Sequence, residues 1–305
     1  MAKTLLLYNI LSSGINARII KKVSDVLKNR GFFIEKIETS KVGEAAEKLK
    51  NYLNDNKDLE MVVAVGGDGI INEAINVLAY TKIPLGIIPR GTGNAFAKDR
   101  KIPFYIKKAV DVFKKENIRE IDLGIINDEK YFLMMCSCGF DVKALSALNP
   151  NLKKKFKILA YIYHGFKAFF TYKPVEVILR ITDEKVLCKG YFCIVSNVRS
   201  YGFPMAQIAP DATIDDGVLD ICMFMSRDKL SSIANILAIF VKMHINFKNV
   251  FYSRTAAEVI IEQDFTEDFN SDNKVPLRVQ ADGDIYCNLP VKIKVAKKAL
   301  NIFLP

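Results

Sequence analysis

Over roughly the first 125 residues the apolar positions follow two alternating rhythms. Short, unbroken apolar runs at 4–8 (TLLLY), 61–65 (MVVAV) and 85–88 (LGII) are separated by stretches where apolar residues recur every three or four positions. In residues 17–29, Ile19, Ile20, Val23, Val26 and Leu27 recur at helical spacing, and Gly31 lies just past the end. The pattern predicts strands over 4–8, 32–38, 61–65 and 85–88, and helices over 17–29, 42–53, 69–79 and 104–115, with an exposed turn at 54–58. A run without a polar face, such as MVVAV, is expected of a parallel strand covered on both sides. Strands alternating with helices of this length predict βαβ units and an open parallel sheet.

Beyond that point the rhythm changes. Runs at 130–137, 175–181, 185–197, 219–225, 258–262, 277–281, 291–295 and 299–304 read as strands, and only 149–173 and 231–244 read as helices. The polar stretch 264–274 reads as a loop. The expected architecture is α/β plus β: an N-terminal α/β domain over 1–125, which 291–305 would complete, and a largely antiparallel, β-rich domain over 126–290.

Composition narrows the partners. Of 305 residues, 50% are apolar and 26% charged, which excludes disorder and fibrous or disulfide-dense classes. The charge is +10, so an anionic partner is expected: nucleic acid, a membrane surface or a phosphorylated small molecule. The six cysteines have no CxxC spacing and there are two histidines, which argues against zinc and for buried thiols in a reducing cytoplasm. The N-terminal apolar run is too short for a signal segment, and no stretch reaches the ~18 apolar residues needed to span a bilayer.

Two loops carry the chemical signal. Gly66-Gly67-Asp68-Gly69-Ile70-Ile71-Asn72-Glu73 follows the MVVAV strand and opens a helix. Glycines let backbone approach a phosphate, and a helix N-terminus supplies N–H groups and partial positive charge. A tight strand-to-helix turn is the plain alternative. The loop is neither GxxxxGK[ST] nor GxGxxG. The second loop, Pro89-Arg90-Gly91-Thr92-Gly93-Asn94-Ala95-Phe96-Ala97, also ends an apolar strand, and two such loops in one sheet converge on one crevice.

GGDGxxNE followed about 20 residues later by PxGTxN resembles the catalytic domain shared by diacylglycerol kinases, bacterial lipid kinases, and sphingosine and ceramide kinases. The resemblance continues through Ile208-Ala209-Pro210-Asp211-Ala212-Thr213-Ile214-Asp215-Asp216-Gly217-Val218-Leu219-Asp220 and Gln280-Ala281-Asp282-Gly283-Asp284, in the family's order. It implies a nucleotide domain like those of NAD kinases and phosphofructokinases, a C-terminal β-sandwich, and transfer of the γ-phosphate of ATP to a lipid hydroxyl in a cleft between them. The acceptor would be diacylglycerol, phosphatidylglycerol or a sphingoid base. By the same resemblance Gly66, Gly67, Asp68, Gly69, Ile70, Ile71 and Asn72, with Thr92, Thr39, Ser13 and Gly14, would bind ATP. Asp68 would organise Mg²⁺, Asp284 would be the catalytic base, and Asp216 with the carbonyls of Thr213 and Val218 would hold a structural Mg²⁺. Asp122 resembles a further aspartate of the metal–water network.

The chain departs from that pattern at three places. Asp284 stands where the family has Glu, one methylene longer, and a misplacement of ~1 Å can lower a rate ~10²-fold. Ala95 stands where many bacterial members carry Asp, nearer the sphingoid-kinase style. The first loop, Asn9-Ile10-Leu11-Ser12-Ser13-Gly14, lacks the family's Pro and has one extra residue.

Residues 149–173 combine an apolar stripe (Leu152, Phe156, Leu159, Tyr163, Phe166, Phe170) with Lys153, Lys154, Lys155 and Lys157 off the stripe. Such a segment either packs on the β domain or lies on an anionic membrane, and both are satisfied if the lysines face lipid headgroups. His164 within it reads as structural. The expectation is a cytoplasmic, peripherally membrane-associated lipid kinase using MgATP, without nucleic acid. An open sheet with an edge strand is compatible with a homodimer. The alternatives are a non-catalytic lipid- or nucleotide-binding relative and a kinase of a soluble acceptor such as NAD.

Overall fold

The computed structural model describes residues 2–139, 141–142, 175–182, 186–201, 203–226, 228–264 and 276–305. The helix expected at 149–173, His164 and nearly all of the 264–274 loop lie outside the described residues. The chain divides into two compact units, Met1–Leu123 with Lys297–Pro305, and Gly124–Ala296.

The first unit is built on parallel strands β1 (Ala2–Asn9), β2 (Phe32–Thr39), β3 (Met61–Gly66) and β4 (Leu85–Pro89), in the spatial order β2-β1-β3-β4. Between them run α1 (Ala17–Lys28), α2 (Glu44–Asp55) and α3 (Asp68–Leu78), followed after β4 by the short α4 (Ala95–Asp99) and α5 (Ile106–Val110). Local chemistry starts α1: the Asn16 carboxamide accepts the Ile19 N–H at 2.9 Å. Its apolar stripe then buries Ile20, Val23 and Leu27 against Leu6, Val63 and Val65. Each such side chain contributes roughly 1.5–3 kcal/mol.

β5 (Ile118–Ile126) carries the chain into the second unit. There follow β6 (Lys130–Phe132), β7 (Met135–Cys138), β8 (Val177–Ile181), β9 (Val186–Gly190), β10 (Phe192–Ser196), β11 (Ser200–Tyr201), β12 (Phe203–Gln207) and β13 (Leu219–Phe224). Helix α6 (Lys229–Phe240) precedes β14 (Val250–Thr255), β15 (Val259–Gln263), β16 (Arg278–Ala281) and β17 (Asp284–Asn288). β18 (Val291–Phe303) leads back, and its Ile302 pairs in parallel with Leu85 of β4.

The second unit is a β-sandwich. One sheet runs β14-β13-β10-β7-β16-β17, antiparallel throughout. The other places β15 between β8 and the start of β18, with β9 beyond β8, again antiparallel. Leu219, Ile221 and Met223 meet Leu179, Ile181, Val259 and Ile261 in the shared core. All six cysteines are free. Burial pushes the Cys138 thiol up to about 12, the behaviour of an inert core residue. Among the described residues no helix is long and apolar enough to cross a membrane.

Several strands differ from the expectation, each for a tertiary reason. The run 130–137 is split because the Asp282 carboxylate takes the N–H groups of Leu133, Met134 and Met135 at 2.6–3.0 Å, away from any ladder. The two strands expected after residue 290 are one, bent at Lys298 (φ +48), whose N–H is held by the buried Asp122 at 2.7 Å. The helix expected over 104–115 keeps only Ile106–Val110, since Val112 and Phe113 drop into the core.

Candidate active site

In the first unit three loops meet beyond the carboxyl ends of β1, β3 and β4. The strand order changes direction between β1 and β3, the position where open α/β sheets form a crevice. The loops touch backbone to backbone. A Cβ on Gly91 would lie 2.2 Å from the Cα of Gly67, and one on Gly67 would lie 2.9 Å from the Cα of Gly91. A Cβ on Gly14 would lie 1.9 Å from the Arg90 carbonyl oxygen. No L side chain fits at these contacts, so the glycines are needed for close approach rather than for an unusual φ.

Polar contacts complete the cluster. The Arg90 N–H donates to the Gly66 carbonyl at 2.7 Å. The hydroxyls of Ser13 and Thr92 lie 3.1 Å apart. The Asn94 side chain closes its own loop, accepting from Gly91 N–H at 2.8 Å and donating to Gly91 O at 2.7 Å. Asp68 ties the second loop to the third. Its carboxylate accepts the N–H groups of Ala95 (3.1 Å) and Phe96 (3.3 Å), the first two residues of α4. Thus Ser13, Gly14, Gly66, Gly67, Asp68 and Thr92 are gathered, with Gly69 exposed on the first turn of α3.

The remaining residues of the expected nucleotide set have their side chains buried in this geometry. The side chains of Ile70, Ile71 and Asn72 are buried, that of Ile70 against Gly66. Thr39 is buried at the end of β2, and its hydroxyl donates to the Tyr8 carbonyl at 3.2 Å. Glu73, which closes the GGDGxxNE string, accepts the N–H groups of Ala45 and Ala46 at 2.8 and 3.2 Å. It thereby caps α2, whose own N-cap is Gly43 and has no side chain to offer.

In the second unit the Gln280–Asp284 segment is a hairpin. Asp282 (φ +50) and Gly283 (φ +89) are the two left-handed turn residues, and Ala281 pairs with Asp284 across the turn. Asp284 is therefore the first residue of β17, and it is exposed. The turn is held from inside. The Asp282 carboxylate binds the three N–H groups of residues 133–135, and the Gln280 side chain accepts the Gly283 N–H at 2.7 Å. Gln280 also donates to the Ser137 hydroxyl at 2.6 Å. That hydroxyl donates to the buried Asp141, which accepts the Tyr201 hydroxyl at 3.0 Å as well. Burial raises the Asp141 carboxyl above the usual range, against the hydrogen bonds from Ser137, Tyr201 and Val142 that favour its charged form. Nothing in the sequence flags Ser137, Asp141 or Tyr201, since none belongs to a recognisable string.

The other acidic turn lies at 213–218, and its Asp216 carboxylate already has partners. One Asp216 carboxylate oxygen receives both the Thr213 hydroxyl and the Arg254 guanidinium, and the other receives the Val218 N–H at 3.2 Å. Arg254 also reaches Asp220 at 3.3 Å. A divalent ion expected on Asp216 with the carbonyls of Thr213 and Val218 would have to share the carboxylate with a guanidinium already seated on it. Of the expected Asp216, Thr213 and Val218 set, the Asp216 carboxylate is thus engaged by Arg254 in this structure. At Asp68 the donor set fits a divalent ion: each oxygen accepts a single N–H and keeps acceptor capacity, and Mg²⁺ binds through one or two carboxylates while retaining several waters. Among the described residues no group of three or more His, Cys, Asp or Glu could hold a metal.

Residues 3–126 match the family model of the diacylglycerol kinase catalytic domain, and residues 134–304 that of the YegS C-terminal NAD kinase beta sandwich-like domain. A diacylglycerol kinase of Mycobacterium tuberculosis (strain H37Rv) is 31% identical over 286 residues, covering 92% of this chain and 87% of that protein. One of Staphylococcus saprophyticus is 27% identical over 292 residues, covering 94% and 90%. The chain spans 60% of the length of an uncharacterized Synechocystis protein that it matches at 27% identity over 88% of its own residues. Among solved structures, a diacylglycerol kinase from Bacillus anthracis shares the fold with a TM-score of 0.77 at 19% identity, covering 99% of this chain and 97% of that one.

Proposed function

The chain belongs to the diacylglycerol kinase family, and from that premise we propose that it transfers the γ-phosphoryl group of ATP to a lipid hydroxyl. Diacylglycerol is the first acceptor to test, because the relatives from M. tuberculosis and S. saprophyticus carry that name. The single observation that carries the reading is the glycine-on-glycine contact of Gly67 with Gly91, joined by Gly14 on Arg90. It brings the loops after three parallel strands into backbone contact, with the Ser13 and Thr92 hydroxyls and the Asp68 carboxylate beside them.

Phosphoryl transfer asks a protein mainly for positioning and for neutralising charge. The backbone N–H groups of Gly67, Gly69 and Ile70 at the start of α3 supply donors and the positive end of a helix dipole. Ser13 and Thr92 add hydroxyl donors. Asp68 fixes the third loop by capping α4 and keeps lone pairs for waters of a magnesium ion. When bound with ATP, that ion offsets the negative charge of the phosphates. The lipid hydroxyl oxygen attacks the γ-phosphorus, the bridging oxygen leaves with its electron pair on ADP, and Asp284 accepts the hydroxyl proton.

The test is transfer from ATP labelled in its γ-phosphate to diacylglycerol, phosphatidylglycerol, sphingosine and NAD. Labelled phosphatidic acid is the expected product. Labelled NADP in place of any lipid product would overturn the lipid reading. Intact ATP binding with no labelled product would favour a non-catalytic relative, the reading that Asp284 in place of Glu brings to mind.

A further inference from the structure

Helix α6 is inside out. Its inward positions are Asn235, Ala238 and Ile239, all buried, with Ser231 and Ser232 beside them only partly exposed. Its outward arc is apolar at every position: Leu230 (77% exposed), Ile233, Ala234, Ile236, Leu237 (65%), Phe240 and Val241 (63%). Met243 continues the surface just past the helix and is also exposed. A helix on the surface of a globular protein carries its apolar stripe toward the core and its polar side outward. Here the carboxamide of Asn235 is buried while the larger apolar side chains face out. Contiguous exposed apolar surface of this kind marks an interaction site.

The charge around the stripe indicates the partner. From residue 229 to 257 the sequence has no acidic residue and four basic ones, Lys229, Lys242, Lys248 and Arg254. Lys242, directly after Val241 of the apolar arc, and Lys248 are exposed, while Arg254 is committed to Asp216 and Asp220. The acid that precedes the segment, Asp228, caps the helix through the N–H groups of Leu230 and Ser231. An apolar face edged by lysines is the pattern of a helix lying in the plane of an anionic lipid interface.

We propose that the outer arc of α6 is the surface by which this protein docks on an anionic bilayer, with Leu230, Ile233, Leu237 and Phe240 entering the headgroup–acyl boundary and Lys242 and Lys248 meeting lipid phosphates. The inference deepens the lipid-kinase reading, on which it rests for the purpose of the docking. It differs from the expectation placed on the lysines of 149–173, which lie outside the described residues.

The chain contains no tryptophan, so a single introduced one reports without background. In Leu237→Trp, tryptophan emission should shift to the blue on adding phosphatidylglycerol vesicles, less so with phosphatidylcholine, and the shift should weaken as salt rises. In sedimentation with the same vesicles, Leu237→Glu with Phe240→Glu should lower partitioning at least about tenfold with an unchanged melting temperature. Emission indifferent to vesicles overturns the proposal. So does emission that shifts with protein concentration alone, which would assign the face to a second copy, or that is already blue at high dilution, which would assign it to the chain itself. Vesicle binding needs no turnover: loss of binding with intact transfer to dispersed short-chain diacylglycerol removes this proposal alone, and intact binding without transfer removes the kinase reading alone.

Discussion

The two acid-bearing regions of this molecule are built by opposite means. In the first unit the loops after β1, β3 and β4 come together because side chains are missing: Gly14, Gly67 and Gly91 leave room for backbone to meet backbone. In the second unit the turns at 213–218 and 280–284 are each held by side chains: Asp282 holds three N–H groups, Gln280 braces Gly283, and Asp216 is joined to Arg254. The difference teaches where rigidity and chemistry separate. Where backbone makes the contacts, the motif residues themselves form the candidate site. Where carboxylates do the bracing, most acids of a motif hold structure, and the exposed Asp284 is the one proposed for catalysis.

The comparison breaks most readily at Asp282. Removing its carboxylate leaves the N–H groups of Leu133, Met134 and Met135, all buried residues, without their acceptor. At ~1–3 kcal/mol per buried donor, Asp282→Ala should destabilise by about 4 kcal/mol in urea unfolding. Asp284→Asn, two residues away and exposed, should unfold at the wild-type midpoint, bind ATP normally and lose transfer. Equal stability losses at both positions would erase the division between bracing and catalytic acids.

Gly91→Ala tests the other half. Its new Cβ meets the backbone of Gly67, which cannot turn aside as a side chain can. Overpacking of this kind costs about 1–3 kcal/mol, and the melting temperature should fall by roughly 3–10 °C with a loss of ATP affinity. Gly69→Ala is the matched control, with nothing within 4 Å of the added Cβ and ordinary helical φ. It should melt at or slightly above wild type, since Ala is the better helix former. If Gly91→Ala melts with it, the loops do not press on one another.

A smaller effect is expected at Glu73. Glu73→Ala removes the cap of α2 and should cost about 1 kcal/mol while leaving the ATP dissociation constant unchanged. A selective loss of ATP affinity would place Glu73 in the nucleotide site. The smallest is a pH effect at Asp141. Its folded pKa is raised by burial, so the folded state keeps the proton more tightly than the unfolded chain does. The stability this contributes is complete below the unfolded carboxyl pKa of about 3.9 and is lost as pH rises through the folded pKa. Asp141→Asn should therefore flatten the decline of melting temperature above about pH 4. An unaltered slope would mean that Asp141 is ionised throughout.

Much of the first unit is legible in the chain because its determinants are local. An unbroken apolar run such as MVVAV can only be a doubly covered strand or a buried helix, and the Gly66–Gly67 break settles which. The α1 stripe and its Asn16 cap lie within one another's reach in sequence. The second unit is less legible, because strand breaks there depend on distant partners. The interruption at Leu133 and Met134 requires Asp282, some 150 residues later, and the bend at Lys298 requires Asp122.

The candidate site divides along the same line. The order of motifs along the chain identified the family and put Gly66, Gly67, Asp68 and Thr92 forward, since glycine runs after apolar strands have few physical uses. Only the tertiary structure decided what each acid does. A carboxylate's role depends on what reaches it: Asp68 meets the N–H groups of α4, Glu73 those of α2, and Asp216 the guanidinium of Arg254. Those partners arrive from other elements, and their approach is a property of packing rather than of neighbouring letters. The same holds for α6, whose composition alone reads as a core helix and whose exposure is set by which face its neighbours leave bare.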